Sequence, residues 1–222
     1  MGQLGGPLAL PADISDPEFP LVASIDCAAI PEHATDIPLP ADGRLLLFGY
    51  PDDDSMWGAG GGSVVYVPHG AAVETRKQES WYTSDPDAQR ITDQYAQGEL
   101  SLTPDICLPF YGCVDLPEPP FGKPLPGHPR SEELCDAWIC TADQILRGGV
   151  LQIGGYACDE YQGSDVPLLS STVDNPEGWV LLAEWRPQIE GREGATIHWG
   201  IRRQDLAALR FDEVSVNVFW NP

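Results

Sequence analysis

Twenty-two prolines and twenty-three glycines divide this chain of 222 residues into short apolar runs, each closed by a residue that ends regular structure. Leu21-Val22-Ala23-Ser24-Ile25-Asp26 follows Pro20, and Arg44-Leu45-Leu46-Leu47-Phe48 lies between Asp42-Gly43 and Pro51. Both read as buried strands, because runs of this length bounded by turn residues are too short for a core helix. The connection from Pro31 to Pro40 is irregular, since Pro38 and Pro40 lack backbone donors. A glycine-rich loop, Gly58 to Gly62, leads into Ser63-Val64-Val65-Tyr66-Val67, whose β-branched and aromatic content favours a pleated strand ending at Pro68. Four further strands are expected: Val150 to Ile153, Trp179 to Trp185, Ala195 to Ile201 and Val214 to Phe219.

Helix signals are fewer. Asp85-Pro86 supplies a capping carboxylate and a first-turn proline, so a helix is expected from Pro86 to Gln97, stopped by Gly98. Ser131, Glu132 and Glu133 open a second, with Leu134, Trp138, Ala142 and Ile145 at helical spacing and Gly148-Gly149 as its end. A short helix is expected near Gln204 to Leu209. Between residues 104 and 129 the prolines crowd together, and Phe110, Tyr111 and Phe121 give that stretch something to pack with, so a wrapping loop fits better than a flexible linker. These readings add up to one α+β domain over residues 1–222, mostly antiparallel β-sheet with two or three flanking helices. Val22 to Asp26 followed by Gly43 to Phe48 has the cadence of Leu181 to Trp185 followed by Gly194 to Trp199. That echo fits either chance repetition between antiparallel strands or an internally duplicated sheet.

Charge narrows the partners. Thirty-four acidic residues against twelve basic ones give a formal net charge of −22, which repels nucleic acid and anionic membranes and attracts a basic protein surface. Hydrophobic residues make up 42% of the chain and seven tryptophans run from Trp57 to Trp220, so a packed core is expected rather than disorder. No apolar stretch approaches a membrane span, and Met1 to Gly6 lacks the basic start and apolar middle of a signal peptide. A cytoplasmic location follows, with the six cysteines reduced.

Gly5-Gly6-Pro7-Leu8-Ala9-Leu10-Pro11, Ile25-Asp26, Leu39 to Leu45, Ile153-Gly154-Gly155-Tyr156 with Gln162, and Ile201-Arg202-Arg203-Gln204-Asp205-Leu206 with Phe211-Asp212 together resemble the YwqG-like family of bacterial domains of unknown function. The resemblance covers nearly the whole chain and fits the region from Tyr82 to Pro129 loosely. It implies an antiparallel-rich α+β domain, and it implies a link to immunity proteins of bacterial toxin systems. Ser24 and Glu184 depart from the glutamine common in that family, and Ile189-Glu190-Gly191-Arg192 replaces its usual Trp-Gly-Asp. The chain opens directly on the Gly5-Gly6 signature without the helical leader of many relatives, which places the expected start upstream of Met1.

Candidate chemistry is sparse. The glycines of 58–62 are not followed by the lysine, serine and helix of a phosphate loop. Cys107 with Cys113 and Cys135 with Cys140 lack zinc spacing, and Asp52-Asp53-Asp54 lacks the alternating ligands of a calcium loop. No cofactor or metal is expected. The residues of interest are Tyr156, Asp159, Glu160, Gln162 and His198: adjacent carboxylates in a cleft can separate their pKa values and serve as acid and base. His198 alternates with Thr196 and Gly200 opposite Ile197, Trp199 and Ile201, so it is expected on a polar, accessible strand face. Two readings stand. The first is a non-catalytic, acidic protein-binding module, immunity- or antitoxin-like, that caps a basic partner. The second is an enzyme or small-ligand binder with a cleft near Tyr156 to Gln162 and His198. The sequence leaves the oligomeric state open.

Overall fold

The computed structural model of the chain describes residues 1–51, 61–78, 80–107, 136–137, 140–141, 148–157 and 178–220. Eleven strands are described: β1 (Gly2–Leu4), β2 (Leu8–Pro11), β3 (Leu21–Asp26), β4 (Arg44–Gly49), β5 (Gly62–Val67), β6 (Val73–Arg76), β7 (Gly98–Glu99), β8 (Leu151–Ile153), β9 (Trp179–Trp185), β10 (Ala195–Arg202) and β11 (Ser215–Trp220). Three short helices accompany them: α1 (Trp81–Ser84), α2 (Pro86–Thr92) and α3 (Arg203–Ala207). The strands form a five-stranded sheet in the order β5-β4-β3-β1-β7, a four-stranded sheet in the order β11-β10-β9-β8, and the β2-β6 pair. Every described pairing is antiparallel, as the α+β reading expects.

Most strand expectations hold within one or two residues, and β9 spans the residues expected of it. Helix α2 begins where Asp85 caps it, its carboxylate accepting from the amides of Asp87 and Ala88, but it ends at Thr92, well before Gln97. The last turn is taken up instead by the amides of Gln94 and Tyr95, which donate to Ile91 and Thr92 carbonyls, and so Tyr95 turns inward to a buried position. The glycine loop up to Gly60 and the proline-rich stretch from residue 108 lie outside the described residues. The helix expected from Ser131 lies largely outside them too, with Asp136, Ala137, Cys140 and Thr141 described as helical.

The two larger sheets are repeats of one another. In β3 and β4 the register runs Ser24 opposite Leu46 and Ala23 opposite Leu47, then jumps to Leu21 opposite Phe48, leaving Val22 as an extra residue. In β9 and β10 it runs Glu184 opposite His198 and Ala183 opposite Trp199, then jumps to Leu181 opposite Gly200, leaving Leu182 as the extra residue. The bulge therefore falls at the same place in both halves. Outside it, Gln3 pairs with Ser24 as Gln152 pairs with Glu184. The Gly5 amide donates to the Val22 carbonyl and the Gly154 amide to the Leu182 carbonyl. The next glycine in each half donates to a side chain, Gly6 to Gln97 and Gly155 to Asp36. The sequence cadence was thus real, although the structural register matches Val22 with Leu182 rather than Leu181.

The halves meet through β4 and β10. Gly49 has no side chain because one would come within 3.0 Å of Ile197 Cδ1 and Trp199 Cζ2. The Trp199 indole donates to the Phe48 carbonyl at 3.0 Å, the Tyr95 hydroxyl donates to the Gly49 carbonyl at 2.9 Å, and the Tyr95 ring stands edge-on to Trp185 at 4.9 Å. Beyond them, β5 runs against β11, Val216 and Val218 lying over Gly62 and Gly61. One cluster of buried residues, from Leu8 to Val216, joins both sheets. Because its buried indole N–H is spent on the Phe48 carbonyl, Trp199 fixes the crossing of the sheets as well as filling it.

Candidate functional site

The second sheet carries a polar row across its four strands. Gln152 on β8 is opposite Glu184 on β9, Glu184 is opposite His198 on β10, and His198 is opposite Asn217 on β11, so all four side chains share one face. The same positions in the first sheet hold Gln3, Ser24, Leu46 and Val65. The expectation of an accessible His198 is overturned: its side chain is 1% exposed, and so is that of Glu184. The alternation Thr196, His198, Gly200 marks a second buried face, because β10 is covered on both sides.

Burial of these charges is made tolerable by pairing. His198 Nε2 lies 3.1 Å from Glu184 Oε2, and Arg186 Nη2 lies 2.5 Å from Glu184 Oε1, so one carboxylate is shared between an imidazole and the guanidinium of a side chain that is 34% exposed. A carboxylate taken out of water without such partners would cost several kcal/mol. Glu184 is committed to Arg186 and His198.

The Gly154-Gly155 turn docks this row against two loops. Both glycines have positive φ, 69° and 76°. A side chain at Gly154 would strike Thr35 and come to 2.5 Å from Asp36 Oδ1, and one at Gly155 would reach 2.7 Å from Cys107 Cβ. The turn is held by the Gly155 backbone amide donating to Asp36 at 2.8 Å and by Gln152 Nε2 donating to the carbonyls of Gly154 at 2.9 Å and Tyr156 at 3.0 Å. Cys107 Sγ accepts from the Tyr156 amide at 3.1 Å, and the thiol's pKa is raised mainly by burial, with the Glu184 and Asp36 charges adding to the rise. A thiol held neutral in this way is a packing group and a poor nucleophile.

Of the five residues singled out by sequence, two are described: Tyr156 is held by Gln152 and His198 by Glu184, and Gln152 and Glu184 are register partners on neighbouring strands. Asp159, Glu160 and Gln162 lie outside the described residues. Sequence reasoning passed over Gln152, Arg186 and Asp36, noted Glu184 only as a departure from the family's glutamine, and weighed Cys107 only as a zinc ligand. A signal for the central pair was present: Glu184 and His198 are the single charged and the single ionisable residue in the midst of the apolar runs Val180 to Trp185 and Ala195 to Ile201. Two such interruptions in neighbouring strands point at each other.

A second buried carboxylate lies in α3. Asp205 is ion-paired with Arg210, which closes the turn after the helix, and Phe211 packs against the Tyr66 ring at 5.5 Å. The motif around residues 201–212 is therefore structural, clamping α3 to the edge strand β5.

A family model describes this arrangement of sequence. The chain belongs to the DUF1963 family, a domain of unknown function, whose model matches residues 3–219. The DUF1963 match takes in both repeats and the polar row. No curated protein matches the chain. Among the described residues no helix is long and apolar enough to cross a membrane.

Proposed function

We propose that this DUF1963 protein is a non-catalytic binding module that recognises a basic surface on another protein. The observation that carries the reading is the disposition of its carboxylates. Among the described residues the two buried ones, Glu184 and Asp205, are each matched by an arginine, whereas Asp13, Glu32, Asp42, Asp87, Glu99, Glu193 and others stand exposed, in a chain with a net charge of −22. Exposed charge of one sign contributes little to folding and speeds the encounter with a partner of the other sign. The enclosure of His198 favours this reading over a cleft that would use an open imidazole.

The narrower form of the proposal is an immunity- or antitoxin-like factor of the bacterial cytoplasm, capping a basic surface of a toxic protein. It draws on the YwqG-like resemblance. Passing native lysate over the immobilised protein tests it: basic proteins should be retained at low salt and released at high salt. Retention of small molecules alone, or of acidic proteins at every salt concentration, would overturn it.

A further inference from the structure

At the far end of the first sheet the chain forms an open groove of about 200 Å³, lined by Asp26, Gly43, Arg44, Val67, His69 and Gly70 with their neighbours. Asp26 ends β3, Arg44 begins β4, and the two are register partners, so their side chains share a face. Opposite charges so placed ordinarily close on each other. Here no ion pair or hydrogen bond joins the Arg44 side chain to Asp26 or to any other described residue, and of the Asp26 carboxylate one oxygen accepts from the Ala28 amide at 3.1 Å. A half-buried guanidinium and a carboxylate thus face one concavity with their charges unspent.

The other half of the molecule supplies a comparison. The equivalents of Asp26 and Arg44 are Arg186 and Thr196, and there the charge is spent, on Glu184. The open pair is therefore particular to the first half and is not demanded by the repeat. In a chain with twelve basic residues, an uncommitted arginine in a groove stands out from the acidic exterior. The two turns that border it differ: Gly43 and Gly70 both have φ of 76°, but a side chain at Gly43 would strike the Val67 carbonyl and the Tyr66 ring, whereas one at Gly70 would meet nothing within 4 Å, so the groove is open on the Gly70 side.

We propose that this groove binds a free α-amino acid, its carboxylate on the Arg44 guanidinium and its ammonium on the Asp26 carboxylate. Guanidinium and carboxylate pair in two-pronged, charge-assisted fashion, and the ammonium supplies the donor that the second oxygen of Asp26 lacks. The volume lies below the roughly 300–1,000 Å³ of sites that take drug-sized molecules, which suits a ligand of a few heavy atoms. Acetate or methylamine alone would satisfy one charge and leave the other facing its neighbour.

The inference is independent of the protein-binding reading, and its test uses small molecules only. L-Alanine, acetate and methylamine are titrated into the isotope-labelled full chain, and backbone amide resonances are followed by NMR. L-Alanine is expected to move the amides of Gly43, Val67, His69 and Gly70 in a saturable way, with acetate and methylamine at least roughly tenfold weaker. Arg44→Gln and Asp26→Asn should each weaken L-alanine by a similar factor. Asp26→Asn keeps the side-chain oxygen that caps Ala28, so an unchanged spectrum outside the groove confirms that the variant folds. Absence of saturable shifts in those amides overturns the site. Acetate binding as well as L-alanine, with Asp26→Asn without effect, overturns the amino acid as its ligand.

Discussion

At the scale of single residues, the structure separates thiols by environment. Cys27 is buried and its pKa is pushed up to about 11, first by burial and then by the neighbouring Asp26 charge, whereas Cys140 is exposed. A thiol-modifying reagent at neutral pH is expected to label Cys140 and to spare Cys27 until the protein unfolds, which mass spectrometry of the labelled peptides reads directly. The same shift makes a pH prediction. Unfolding lets Cys27 ionise at its ordinary value near 9, so above that pH the unfolded state binds fewer protons and stability falls, until the folded thiol also ionises near 11. The fall attributable to this group is about 2–3 kcal/mol across that window, and Cys27→Ala should flatten the decline measured by denaturant unfolding. Equal decline in both proteins would show that the thiol is not the cause. Gly155→Ala tests the turn beneath the polar row: positive φ and contact with Cys107 together should cost about 2–4 kcal/mol in the same assay, whereas Gly191→Ala, with φ of 77° and open space, should cost about 1.

At the scale of elements, the central question is what the Glu184–His198 pair does for its strands. The first sheet builds the same bulged pairing with Ser24 and Leu46, so the pair is not needed for the fold as such. His198→Leu keeps Arg186 on Glu184 but takes the partner from the buried Oε2 and should cost about 1–3 kcal/mol, while Glu184→Ala strands a buried imidazole and a partly buried guanidinium and should cost about 3–5. Combining Glu184→Ser with His198→Leu imports the residues of the first half, and its cost should fall well short of the sum of the single changes. Additive costs would mean that the two side chains do not act as a pair. The contrast also shows what was readable beforehand. Strands rich in valine, leucine and isoleucine, such as β4 and β9, announce themselves because both their faces are buried. Strand β6, Val-Glu-Thr-Arg, is three-quarters exposed and carries no apolar period, and β1 and β7 are too short to show one. His198 was misplaced because polar alternation signals an outward face only when the other side of the sheet meets water, and β10 is covered on both sides. The row it belongs to is made by pairing between strands far apart in sequence, which local pattern does not record.

At the scale of the whole molecule, two sheets of one design are pinned at Phe48 and Gly49 by Trp199 and Tyr95, and the exterior is left to carry charge. Gly49→Ala should force Ile197 and Trp199 to move by a few tenths of an ångström and cost about 1–3 kcal/mol, without altering charge-driven binding if the surface alone directs it. The repeat was legible in the sequence as a cadence, and the acidity as a count; that, among the described residues, the two buried carboxylates are each matched by an arginine while most others are exposed needed the structure. That disposition is the centre of the functional account. It is tested most directly by the association rate with the partner recovered from lysate, measured at rising ionic strength. The account predicts a rate that falls by about tenfold or more as salt rises from ~20 to ~200 mM, with dissociation changing far less. An association rate indifferent to salt would contradict it.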